Sequence, residues 1–152
     1  MLNEQFIIPM TGSLLHLEQV PDKHFSDKSL GEGFAIKLSG EVVVSPISGI
    51  VIAAFPSGHA FIIRREEDGL EVLVHIGLDS VRHEGAFRPQ VQKYARVKQG
   101  DVLTYVDKSK FTDNENALIS PIVFSNPNIQ ISLHTENKEV KVGDENIIGV
   151  KL

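Results

Sequence analysis

Two histidines stand in otherwise apolar, strand-like stretches of the 152-residue chain: His59 in FPSGHAF and His75 in VLVHIGLD. A lone imidazole among apolar residues is commonly a satisfied, half-buried side chain, whereas two on adjoining segments point to chemistry. Zinc hydrolysis needs three ligands and a general base. His75-x-x-x-Asp79 has the spacing of one ligand pair, yet the downstream His-x-His that would complete it is missing. Serine hydrolysis would draw on Ser57 with His75 and Asp79, but the chain holds no Gly-x-Ser-x-Gly elbow. The third chemistry is a phosphohistidine relay. Neutral imidazole is a competent nucleophile near pH 7, and the phosphoramidate it forms passes its phosphoryl group on. Such a site needs an accepting histidine, a second group to hold the phosphate oxygens, and an apolar surround on which a partner protein can dock and exclude water. His75, His59 and the flanking Phe55, Phe61, Leu73 and Ile76 supply those types. His16, His24, His83 and His134 lack such company, and His83 and His134 read as solvated.

A hairpin must position the pair. Asp68-Gly69 is a strong turn signal between AFIIRR and LEVLVHIG. Alternation puts Glu71, Leu73 and His75 on one face and Leu70, Val72, Val74 and Ile76 on the other, core-facing one. A two-residue Asp68-Gly69 turn pairs His59 with Leu78, which leaves the histidines roughly 10 Å out of register. A wider loop over residues 66–69, or a bulge, brings them closer.

The rest of the chain reads as all-β. Short runs rich in Val, Ile and Phe recur between Gly, Pro, Ser and Asp, predicting strands over 6–8, 13–17, 34–38, 42–44, 49–55, 60–65, 70–76, 102–106, 117–119, 122–124, 129–134 and 146–151. Only 107–116, with Asp107 as N-cap, reads as a short helix. The segments IIPMTGSLL and VSPISGIVI echo each other around a Pro-x-x-Gly turn, and Lys98-Gln99-Gly100-Asp101 echoes Lys141-Val142-Gly143-Asp144. Two independent echoes suggest duplicated halves. The expected architecture is a compact antiparallel β-sandwich or barrel with internal duplication, formed by residues 1–152 as one domain. The LGEG stretch at 30–33 lacks the Lys-Ser/Thr of a phosphate loop and reads as a turn.

Composition excludes other classes. The absence of cysteine removes thiolate nucleophiles, disulfides and cysteine-ligated metals. A net charge of −5 without a basic stripe excludes nucleic-acid binding and would better suit a basic protein partner. No apolar run approaches the roughly 20 residues of a membrane span, and no signal peptide is visible, so a cytoplasmic protein is expected.

The run SPISGIVIAAFPSGHAF followed by VLVHIGLDSV resembles the glucose-type IIA domain of the bacterial phosphoenolpyruvate-dependent sugar phosphotransferase system, whose pattern is approximately APVDGxVxxxFxTxHAF…GxExLVHxGxDTV. VPDKHFSDKSLGEGFAI, VKQGDVL and SPIVFSN resemble that family's VPDxVFSEKxxGDGxAI, VxxGDxL and TPVVxSN. The resemblance implies a duplicated β-sandwich in which His75 accepts phosphate on Nε2 from the carrier HPr and passes it to a cysteine of a IIB domain. It further implies that His59 holds the phosphate, that Ser57 orients an imidazole, and that Asp22 and Asp79 border the site. Phe25 and Leu30 keep the family's apolar docking pattern, His24 and Ser29 depart from it, and Ser48 replaces an acidic residue at the family's APVDG turn. No cofactor is expected, a metal is not required, and zinc at His59 and His75 would be opportunistic. A regulatory module whose phosphorylation state is read by permeases, kinases or transcriptional regulators is the alternative, and it needs the same two histidines.

Overall fold

The computed structural model describes residues 5–78, 85–111, 115–134 and 138–152. Its strands are β1 (Gly12–His16), β2 (Glu32–Leu38), β3 (Val42–Val44), β4 (Gly49–Ala54), β5 (Ala60–Arg64), β6 (Glu71–His75), β7 (Phe87–Pro89), β8 (Arg96–Val97), β9 (Val102–Val106), β10 (Ile119–Phe124), β11 (Gln130–Leu133), β12 (Glu139–Val140) and β13 (Ile148–Lys151). Every pairing among the described strands is antiparallel. An eight-stranded sheet runs β12-β1-β2-β10-β6-β5-β4-β8, beside a three-stranded sheet β3-β9-β7 and the pair β11-β13.

Alternation along the strands builds the core between these sheets. Phe34, Ile36, Val51, Phe61, Ile63, Val72, Val74, Ile122 and Phe124 from the large sheet meet Val43, Phe87, Leu103 and Val106 from the small one. The back of the large sheet is not open either. There Leu17, Val20, Phe25, Ala35, Ile119 and Val123 form a second cluster, with Leu15, Leu73 and Leu78 packed against it. A 3₁₀ turn (Leu17–Gln19) and the short helix α1 (Lys23–Ser26) bring Leu17 and Phe25 onto it. Strand β10 lies between the two clusters and is buried along its whole length, which is why ISPIVF carries no polar-apolar alternation.

The two sequence echoes pack against one another. Ile8 exchanges backbone hydrogen bonds with Gly143 and Asp144 (2.8 and 3.0 Å), and Ser45 does so with Gly100 and Asp101 (2.9 and 2.8 Å). The Thr11 hydroxyl accepts from the Val142 N–H at 3.0 Å, as the Ser48 hydroxyl accepts from the Gln99 N–H at 2.9 Å. Asp144 and Asp101 each cap their own turn by accepting from Lys141 and Lys98 N–H, both at 2.8 Å. Matched partners at matched positions make these two turn regions structural counterparts, as a duplicated fold requires.

Several expected elements differ. Residues 6–8 form no strand, because Ile7 and Ile8 bond to the Pro46 and Asp144 carbonyls instead. Residues 117–118 belong to a 3₁₀ turn (Glu115–Leu118), and strand pairing starts at Ile119. Of the expected helix at 107–116, residues 108–110 form a 3₁₀ turn (Lys108–Lys110) capped by Asp107, which accepts from the Ser109 N–H at 3.0 Å, residues 115–116 belong to the Glu115–Leu118 turn, and residues 112–114 lie outside the described residues. Helix α1 was not anticipated, although Asp22 after Pro21 is its capping signal.

Candidate active site

The β5–β6 hairpin closes through the wider loop. The Arg65 N–H donates to the Leu70 carbonyl at 2.8 Å and the Gly69 N–H to the Arg65 carbonyl at 2.9 Å, so residues 66–69 form the connection. Asp68 fixes it by accepting from the Leu70 N–H at 3.1 Å and from the Arg65 guanidinium at 3.1 and 3.0 Å. His75 consequently pairs with Ala60, one residue from His59, and the Ile76 N–H continues the ladder to the His59 carbonyl at 2.7 Å.

At the other end of the hairpin the two imidazoles meet. Their ring centroids lie 5.2 Å apart at 77°. Phe25 packs on His75 at 5.3 Å, while Phe55 and Phe87 flank His59 at 5.5 and 6.3 Å. The loop before His59 turns through Gly58 at φ 80°, where a Cβ would lie 2.9 Å from Pro89 Cδ. Glycine thus lets residues 55–58 press against β7, and the approach carries His59 in beside Phe87.

Each ring has one nitrogen tied. His75 Nδ1 lies 2.9 Å from the Gly77 carbonyl oxygen. A carbonyl only accepts, so Nδ1 carries the proton and Nε2 of the neutral ring is left bare. His59 Nδ1 is in contact with the Ser57 hydroxyl. Burial lowers the pKa of both rings below the ordinary histidine value. For His59 the neighbouring His75 adds to the shift, and for His75 the Gly77 hydrogen bond and the Asp22 charge partly oppose it. Both imidazoles are therefore neutral at pH 7, as a nitrogen nucleophile requires.

The surroundings divide the expected residues. Asp22 caps α1 by accepting from the His24 N–H at 3.0 Å, and it also contacts His24 Nδ1 at 3.2 Å. Phe55 and Leu30 are exposed, at 42% and 48%. Phe61 and Ile76 are corrections: both are completely buried in the main core, so neither can meet a partner. Their place on the hairpin's inner face decides this, since Phe61 pairs with the core-facing Val74. Leu73 is half-buried in the second cluster and also serves packing. Asp79 and His83 lie outside the described residues. His134 is exposed, and the 30–33 stretch turns into β2 without a helix. Sequence reasoning missed Phe87, Gly77 and Ser120. Only Gly77 left a trace, as a glycine two residues beyond the histidine. Among the described residues no group of three or more His, Asp or Glu could hold a metal ion, and no helix is long and apolar enough to cross a membrane.

Fold and site together define an all-β protein organised around a pair of neutral, differently tethered histidines. The family model for the phosphoenolpyruvate-dependent sugar phosphotransferase system, EIIA 1, matches residues 4–129. The chain belongs to that family. It is 39% identical over 150 residues to the glucose-specific EIIA component of Staphylococcus epidermidis, a match covering 97% of this chain and 90% of that protein. It is also 37% identical to the N-acetylglucosamine-specific EIICBA component of Escherichia coli, where the match covers 80% of this chain and 19% of that longer protein. Among solved structures, the glucose permease IIA from Mycoplasma capricolum superposes with a TM-score of 0.83 at 34% identity, over 95% of this chain and 94% of that one.

Proposed function

We propose that this component of the phosphotransferase system is a phosphocarrier whose acceptor is His75. The observation that carries the reading is the bond from His75 Nδ1 to the Gly77 carbonyl at 2.9 Å, with the His59 ring 5.2 Å away. The Nε2 lone pair attacks the phosphorus of the phosphohistidine on HPr. The Nε2–P bond forms as the donor's P–N bond breaks, its electron pair returning to the donor ring. In the second transfer the thiolate of a IIB cysteine attacks the same phosphorus. The S–P bond forms, the Nε2–P bond breaks, and its electron pair returns to His75, which is left neutral. When the Ser57 hydroxyl donates to His59 Nδ1, the ring proton lies on Nε2 and is available to a phosphate oxygen. Exposed Phe55 and Leu30 provide the apolar ground on which both partners dock in turn, buried Phe25 backs the His75 ring from the second cluster, and Asp22 stands at the border.

The test is incubation with enzyme I, HPr and phosphoenolpyruvate, followed by mass spectrometry. The expected result is one acid-labile phosphate on His75, lost in His75→Ala. His59→Gln should accept the phosphate and fail to pass it on. A phosphate located on His59 or Ser57, or none at all, overturns the assignment.

A further inference from the structure

The nucleophile's tautomer depends on a single carbonyl, so whatever holds that carbonyl matters. Gly77 lies two residues past the end of β6, at φ 76°. Pairing between β6 and β10 stops at Val74 and Ile122, so strand hydrogen bonds do not continue to it. Side chain and turn take over. The Gly77 N–H donates to the Ser120 hydroxyl at 3.0 Å, and the next amide, that of Leu78, donates to the Ala117 carbonyl at 3.0 Å. Ser120 is completely buried, and its hydroxyl donates to the Leu118 carbonyl at 3.0 Å. The direction of that network is fixed. An amide can only donate and a carbonyl only accept, so the hydroxyl turns its proton to Leu118 and a lone pair to Gly77.

We propose that Ser120 is a positioning residue of the site, clamping Gly77 from β10 so that its carbonyl keeps the proton of His75 on Nδ1 and leaves Nε2 free. Ser120 touches neither ring and acts only through Gly77. Removing its hydroxyl leaves a buried amide without an acceptor, and the loop 76–78 must shift to reach another. Nδ1 then loses its aligned partner, and the neutral ring redistributes its proton between the two nitrogens. Threonine keeps the hydroxyl, and it stands at this place in the TPVVxSN pattern that the chain's SPIVFSN resembles. The catalytic consequence rests on the reading of His75 as phosphate acceptor; the tautomer consequence does not.

Two-bond ¹H–¹⁵N correlation spectra of histidine-labelled protein read the tautomer directly, and phospho-HPr supplies the rate. Wild type and Ser120→Thr are expected to show His75 protonated on Nδ1 and to accept phosphate at rates within about threefold. Ser120→Ala is expected to show mixed tautomers and a rate lower by roughly ten- to a hundredfold, the scale of a small misplacement of a reacting group. A folded Ser120→Ala protein with an unchanged His75 tautomer and an unchanged rate overturns the proposal. Should that variant not fold, hydrogen exchange on the wild type decides: the Gly77 amide must be strongly protected, and exchange at the rate of a surface amide overturns the clamp. A tautomer shift in Ser120→Ala, with no phosphate accepted even by wild type, would uphold the clamp and sink the relay.

Discussion

Truncating Phe25 to alanine tests how the second cluster controls the histidine. Phe25 is 6% exposed and packs on His75 at 5.3 Å from the short helix α1. Cutting a phenyl ring to a methyl group removes roughly 120 Å² of buried apolar surface, worth about 3 kcal/mol at 25 cal/mol/Å². Helix α1 is only Lys23–Ser26 and one side of the cluster borders solvent, so partial collapse should reduce the loss to about 2–3 kcal/mol. For a chain of this length that lowers Tm by about 4–12 °C. Burial is the main cause of the depressed His75 pKa, so opening the site must move that pKa upward, toward the ordinary value. The His75 tautomer should not change, because the Gly77 carbonyl is untouched. Thermal unfolding and an NMR titration of the His75 ring protons measure the two effects on one sample. A folded variant whose His75 titrates as in wild type would refute the assignment of burial by Phe25 as the cause. A Tm change under about 1 °C would refute the packing estimate.

Three further outcomes are expected. His59 and His75 both titrate below the ordinary 6.5 when folded, so under mild acid the unfolded chain binds more protons than the native one. Stability therefore falls as pH drops from 6.5 through their depressed values, and urea unfolding should show a shallower slope there in the double variant with both changed to Gln. Asp68→Ala should cost about 2–3 kcal/mol in denaturant unfolding, since Arg65, whose side chain is 10% exposed, loses its bidentate partner. Its carboxyl is held below the usual range chiefly by Arg65, so wild type should lose this contribution as pH falls through that lowered value. Thr11→Val and Ser48→Ala each remove one hydroxyl acceptor from a matched turn. Each should cost about 1 kcal/mol, and unequal costs, differing by more than about that amount, would argue against equivalent turns.

The sequence made the hairpin's faces legible because a period of two is unambiguous where one side is solidly apolar, as in Leu70, Val72, Val74 and Ile76. The His59 and His75 pair was legible for the same reason, but its register was not. Asp68-Gly69 signals a tight turn, and it takes the Arg65–Leu70 backbone pairing, held by the Arg65–Asp68 ion pair, to show that the loop spans 66–69. The duplication could be read from glycines and prolines because turns need particular residues. The second cluster was hidden, since Leu17, Val20 and Phe25 are far from β10 in sequence and covering a sheet's back leaves no local periodicity. Phe61 and Ile76 lie instead on the hairpin's inner face with Val72 and Val74, in the main core, and so reach no docking surface. Ser120 was invisible because a buried serine at a strand's start looks like any other.

The paired turns also constrain the order in which the chain can become native. The Ile8 backbone and the Thr11 hydroxyl take partners from Val142, Gly143 and Asp144, and β1 pairs with β12 at its edge. These contacts join opposite ends of the sequence, so the contact order is high and folding should be slow for a chain of this size. During synthesis the copy formed by Ser45, Ser48 and residues 98–101 can close first. The N-terminal copy must wait until residues 142–144 have left the ribosome.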